Sequence, residues 1–78
     1  MKKPTKFELA ILLGISEEDF HREIKPLIKR QFKEELLKIM DKTDNPDIWL
    51  DYDNNIVLVN PKDMNKQYPT GISIFSYK

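Results

Sequence analysis

Apolar periodicity in this chain changes character once, between Met40 and Ile48, and the change limits the fold to a helical half followed by a sheet half. Up to Met40 the apolar residues recur every three or four positions, the spacing that lines one face of a helix. From Ile48 onward they come in short strand-like runs, split by a turn signal at Asp53-Asn54-Asn55. Helices and strands segregated along a chain indicate an α+β domain rather than an alternating α/β one. The expected architecture has two N-terminal helices, the second long and kinked near Pro26, packed on a small three-stranded antiparallel sheet. Residues 1–78 form one domain, because a chain this short buries only about 60% of its unfolded surface and has no material for a second core.

Local signals place the elements. Thr5 followed by Glu8 is a capping box, so the first helix should run from Lys6 to Leu13 with Phe7, Ala10 and Ile11 inward. Gly14 supplies the left-handed residue that ends it. Ser16 starts the second helix, with Glu17, Glu18 and Asp19 at the positive end of its dipole. That helix should reach about Met40 and bend near Lys25, since Pro26 lacks an amide hydrogen and crowds the carbonyl of Arg22. Asp44-Asn45-Pro46 signals a turn. Strands are expected at Asp47–Asp51 and Asn55–Asn60, then a polar connection from Pro61 to Gly71 and a last strand from Ile72 to Tyr77. The helices should bury Phe7, Ile11, Phe20, Ile24, Ile28, Phe32 and Leu36. The sheet should bury Ile48, Leu50, Val57, Val59, Ile72, Ile74 and Phe75. Trp49, Phe75 and Tyr77 read as core or core-edge aromatics rather than a base-stacking platform.

Composition removes several classes of function. With no cysteine and one histidine, the chain offers neither a disulfide framework, a thiolate zinc site nor a His-rich metal site, and no cofactor is expected. Lack of cysteine is compatible with a reducing compartment and equally with a secreted fragment. The longest apolar run, Leu9 to Leu13, is far shorter than the roughly 20 residues that span a bilayer, so no membrane partner is expected. Met1-Lys2-Lys3 resembles the start of a signal peptide, but Glu8 interrupts the apolar stretch that should follow. Asp51-Tyr52-Asp53-Asn54-Asn55 mimics a calcium loop, yet Ile56 stands where that loop needs glycine and Lys62 where it needs glutamate.

Charge cancels overall and separates locally. Arg22, Lys25, Lys29, Arg30, Lys33 and Lys38 outnumber Glu23, Glu34 and Glu35 along the second helix, while the following segment carries Asp41, Asp44, Asp47, Asp51 and Asp53. The helix could meet phosphate through Arg22, Lys29, Arg30 and Lys33. The run from Leu9 to Ile24 also fits a helix-turn-helix register around Gly14. A DNA reader, however, presents cationic or amide side chains at the start of its second helix, where this chain has three acids. His21 flanks the apolar stripe, with Lys25 one turn later. An imidazole beside a cation is an acid/base pair suited to phosphodiester chemistry, the cation stabilising charge that develops on phosphorus.

The order FHREIKP, basic helix, NPDIWLDYDNNIVLVNP, YPTG and a short final strand resembles the toxin tips of bacterial polymorphic toxins. These are the variable C-terminal domains of contact-dependent inhibition and Rhs-type proteins. The resemblance covers residues 20 to 78. Its most specific parts are His21-x3-Lys25-Pro26, Asn45-Pro46-Asp47-Ile48 and Thr70 ahead of the last strand. Many such tips are similar to metal-independent RNases of the barnase and colicin-tRNase kind, with N-terminal helices on a small antiparallel sheet. The resemblance implies RNA cleavage, with tRNA one such substrate, by His21 and Lys25 on the helix and Thr70 as the late hydroxyl. Ser73 is a second hydroxyl candidate. It also implies a cognate immunity protein, action in the bacterial cytoplasm and delivery as part of a larger secreted protein. Two other readings stand beside it. One is a small winged-helix DNA-binding regulator with Asp47–Asn60 as the wing. The other is a non-catalytic interaction module using the basic helix or a strand edge.

Overall fold

The computed structural model describes residues 2–41 and 45–78, and the fold is α+β as the periodicity implies. Asp44, at the start of the expected turn, lies outside the described residues, as does Lys42. Helix α1 (Lys6–Leu13) opens on the expected capping box: the Glu8 amide donates to Thr5 Oγ1 at 3.2 Å and the Thr5 amide to Glu8 Oε2 at 3.1 Å. Gly14, at φ 69°, closes it in the left-handed region, and its amide and that of Ile15 return to carbonyls of the last turn.

The inward face of α1 differs from the expected one. Phe7 and Ile11 are 62% and 61% exposed; Ala10 is buried as expected, and Leu9 and Leu13 are buried with it. Leu9 to Leu13 is apolar throughout, so spacing alone cannot choose a face. Packing chooses it: Leu9 and Leu13, one turn apart, join the core cluster around Phe20.

The second helical run begins at α2 (Glu17–Asp19), capped by Ser16 Oγ, and passes through a π-helical segment (Phe20–Ile24) into α3 (Lys25–Gln31). Proline causes the irregularity. In a regular helix the Pro26 ring would press on the Arg22 carbonyl and leave it without a donor. Here the turn widens, and the Lys25 amide donates five residues back to the Phe20 carbonyl. The bend expected near Lys25 is thus a π turn, and the backbone stays helical through it. A second departure follows. The helix does not continue unbroken to Met40: Phe32 takes φ −111° and ψ 28° and separates α3 from α4 (Lys33–Ile39). Phe32 is buried with its ring 6.1 Å from that of Tyr68, so a contact with the sheet draws this residue out of helical geometry.

The sheet order is β1 (Asp47–Leu50), β2 (Asn55–Asn60), β3 (Asp63–Ser73), antiparallel throughout. Asp51 organises the β1–β2 turn by accepting from the amides of Asp53 at 2.8 Å and Asn55 at 2.9 Å, and Asn54 adopts φ 62°. The segment from Pro61 to Gly71 is not a loop, as its polarity suggested: most of it is β3. An edge strand with one solvated face tolerates Lys66, Gln67 and Pro69, and although its burial alternates from Asn65 to Ile72, polar Lys66 and Thr70 hold half-buried positions and hide the alternation in the sequence. Nor is Ile72–Tyr77 a separate strand. Ile72 and Ser73 end β3, and Ile74–Tyr77 forms a 3₁₀ turn capped by Ser73 Oγ.

Central β2 is buried on both faces. Ile56 and Leu58, paired with Leu50 and Ile48, meet the helices and belong to the main cluster. Val57 and Val59 are buried as expected, on the opposite face, where Val57 pairs with Trp49 and Pro69 and Val59 with Asp47 and Gln67. Phe75, also expected inside, is 41% exposed, whereas Ile74 beside it is fully buried. Buried Asn60 ties the halves together: Nδ2 donates to the Ile39 carbonyl at 2.8 Å, and Oδ1 accepts from the Lys62 amide at 2.9 Å. No helix among the described residues is long and apolar enough to cross a membrane.

Asp51 gives the fold a pH dependence with a definite sign. The amide of Asn55, and after it that of Asp53, holds its carboxyl below the usual carboxylate range. A depressed folded-state pKa contributes stability above the unfolded value of about 3.9, lost as pH falls through the folded value. Asp51→Ala is therefore expected to lower the urea midpoint at neutral pH, the gap to wild type narrowing below about pH 4. A gap that stays constant into acid would show that the carboxylate's charge is not what holds the turn.

Candidate functional site

A cavity of about 260 Å³ opens where the start of α1, the π segment and the start of β1 converge. Its apolar floor is Leu9, Phe20 and Ile48, and its polar rim is Lys3, Lys6, His21, Lys25 and Asp47. Each wall has an identifiable cause. The π turn carries His21 and Lys25, one helical turn apart, so both reach the cavity while Phe20 and Ile24 enter the core. The N-terminal segment is strapped alongside β1 by paired backbone bonds between Lys2 and Leu50, at 2.8 and 3.1 Å, and this carries Lys3 to Lys6 over the opening.

The His21 ring sits edge-on to Phe20, with centroids 5.9 Å apart, and its Nε2 lies 3.9 Å from a Glu17 carboxylate oxygen. Lys25 is partly buried. Its ammonium is held below the usual lysine range, first by burial and then by repulsion from Lys6 and Lys29, with Asp47 acting the other way. Lys3 is already engaged: Nζ lies 3.6 Å from Asp47 Oδ2 and 5.5 Å from the centroid of the Trp49 ring.

The structure brings together two of the three residues singled out for catalysis. His21 and Lys25 share the cavity, and Thr70 does not line it. Thr70 lies on β3, with β2 between it and the cavity-lining strand, a separation of two strand spacings or roughly 10 Å. Its hydroxyl is also occupied, donating to the Ile56 carbonyl at 2.8 Å and accepting from the Ile72 amide at 3.1 Å. Those bonds pin the register shift between the Val57–Pro69 and Asn55–Ser73 pairs. Thr70→Val is accordingly expected to cost about 1 kcal/mol in urea denaturation. Wild-type stability would show that the hydroxyl is not a structural pin. Ser73, the other hydroxyl candidate, caps the 3₁₀ turn.

The cations of the basic helix are dispersed. Arg22 folds back on Asp19, with Glu18 and Glu23 each at 3.9 Å, which spends its charge within its own turn. Lys29 donates to Asn45 Oδ1 at 3.0 Å. Arg30 and Lys33 are exposed on α3 and α4, outside the cavity. The cavity-lining charged residues that sequence reasoning missed are Lys3, Lys6 and Asp47. The one signal was the Lys-Lys-Pro-Thr-Lys start, which reads locally as a signal-like n-region and a helix cap. Among the described residues, no group of three or more His, Asp or Glu side chains is placed to hold a metal ion. Compared with protein-family models, with curated proteins and with solved structures, the chain matches none.

Proposed function

We propose that this domain is a toxin-type ribonuclease that cleaves RNA without a metal ion. The observation that carries the proposal is the shared cavity of His21 and Lys25, which places two residues of the FHREIKP motif suited to proton transfer and charge stabilisation together. In the reaction, a ribose 2′-oxygen forms a bond to phosphorus as the bond to the 5′-oxygen breaks. His21 takes the 2′-hydroxyl proton, Lys25 offsets the negative charge gathering on phosphorus, and the departing 5′-oxygen gains a proton from solvent. The products are a 2′,3′-cyclic phosphate and a free 5′-hydroxyl. Thr70 has no part in this version, since its hydroxyl is held by the sheet. As the tip of a larger secreted protein acting in a bacterial cytoplasm, the domain would require an immunity protein, whose acids would cover the cavity's lysines.

The absence of Thr70 from the cavity favours a second reading, a non-catalytic module that holds an anionic partner in the same place. The DNA-regulator reading gains no support: Glu17, Glu18 and Asp19 still open the second helix, and Arg22 is drawn back onto them. Incubating the purified domain with tRNA in EDTA separates the first two. Fragments ending in cyclic phosphate are expected, and intact tRNA after exposure to a folded sample would leave the binding module.

A further inference from the structure

The cavity has a second property, an imbalance of charge that the helix motif does not account for. Three ammonium groups and one carboxylate form its rim, with His21 alongside. The carboxylate of Asp47 is turned to Lys3 and also attracts Lys25, so it offsets one of the three positive charges. An excess of two positive charges remains around Lys6 and Lys25, with Lys29 close enough to add to the repulsion on Lys25. Among the described residues the other nearby acids are committed elsewhere: Glu8 accepts from the Thr5 amide, and Glu17 faces the His21 ring. In a chain of zero net charge, two ammoniums without an ion-pair partner among the described residues converge over an apolar floor of Leu9, Phe20 and Ile48. Like charges gathered beside a low-dielectric wall oppose folding unless an anion joins them.

We infer that this cavity is a binding site for a phosphate monoester, held by the ammoniums of Lys6 and Lys25 and bounded by the Lys3–Asp47 pair. The match is one of charge and of room. A monoester carries about −1.5 to −2 at neutral pH, which two ammoniums balance, whereas an internal phosphodiester carries only about −1. A cavity of about 260 Å³ accommodates the anion together with bridging water, since a water's share of liquid volume is about 30 Å³. The site is built by long-range pairing. Lys6 stands at the first position of α1, reaches the cavity because Lys2 is strapped to Leu50, and meets Lys25 from across the gap. The identity of the monoester as an RNA terminus rests on the ribonuclease reading, and binding of the bare anion does not.

The chain's only histidine lines this cavity, so its ring resonances report occupancy without assignment. The test titrates inorganic phosphate, adenosine 5′-monophosphate, adenosine and sodium chloride into the protein at fixed pH, following the His21 ring protons by NMR. Saturable one-to-one shifts are expected with phosphate and the nucleotide, and none with adenosine. Lys6→Gln and Lys25→Gln should each weaken binding at least tenfold. Lys6→Arg should restore most of it, and Lys62→Gln, in the β2–β3 turn, should change nothing. Lys6 is exposed, so its variant keeps the test valid even if Lys25→Gln fails to fold. Shifts that chloride reproduces at equal ionic strength, or affinity unchanged in Lys6→Gln, would overturn the site. Saturable binding by a domain that leaves tRNA intact keeps the site and removes the ribonuclease. Cleavage of tRNA by a domain that binds no phosphate does the reverse.

Discussion

Phe20→Ala is expected to lower the melting temperature by more than about 12 °C, and Phe7→Ala to leave it nearly unchanged. Both are phenylalanines in the N-terminal helical region, and their exposures differ from 1% to 62%. Phe20 lies in the core cluster with Leu9, Leu13 and Ile24, so truncation removes a ring's worth of contacts and leaves a cavity. Such truncations cost about 3–5 kcal/mol. A domain of this length has roughly 4–12 kcal/mol in total, at about 0.05–0.15 kcal/mol per residue. The substitution therefore removes a quarter or more of the stability, and at the lower end of that range it unfolds the domain. Circular dichroism melts of the two variants measure the contrast. Equal losses would show that α1 buries the face its Phe7 and Ile11 spacing first suggested.

That contrast also marks where sequence reasoning stopped. The limits of α1 were legible because caps are local: Thr5, Glu8 and Gly14 act on backbone groups within one turn. Its buried face was not, because five consecutive apolar residues satisfy every rotation of the helix. Pro26 announced an irregularity, since a missing amide must be accommodated nearby, and the π turn is the form the accommodation takes. The break at Phe32 had no local sign, being set by a ring contact with Tyr68 on β3. The third strand hid for a related reason. Its burial alternates from Asn65 to Ile72, but polar Lys66 and Thr70 hold half-buried positions, so apolar spacing carries no trace of the alternation.

The site divides along the same line. His21 and Lys25 belong to one helical turn, so their common direction follows from their spacing. Lys3 and Lys6 reach them only through the pairing of Lys2 with Leu50, a contact that no local pattern encodes. Thr70 shows the converse. A threonine before a late strand is a reasonable catalytic hydroxyl in sequence, but a register shift leaves the Ile56 carbonyl and Ile72 amide in need of partners, and the hydroxyl serves them.

Under the ribonuclease reading, His21→Ala is expected to reduce tRNA cleavage by roughly 10²–10⁴-fold, the usual contribution of a positioned acid/base group. The His21 side chain is about one-third exposed, and its polar contact is an ion-pair distance of 3.9 Å to Glu17, so the fold should lose little. A melt within about 0.5 kcal/mol of wild type separates lost chemistry from lost structure. Lys25 supplies the companion test. Lys25→Gln removes the charge that meets the developing phosphorane and should slow cleavage in the same assay, while Lys25→Arg keeps a cation there and should retain part of the rate. Together these variants assign separate roles, because proton transfer fails only with His21 whereas charge stabilisation responds to the sign at residue 25. Cleavage that survives His21→Ala at the wild-type rate would place any chemistry outside this cavity. The lysines would then remain as an anion site without a reaction.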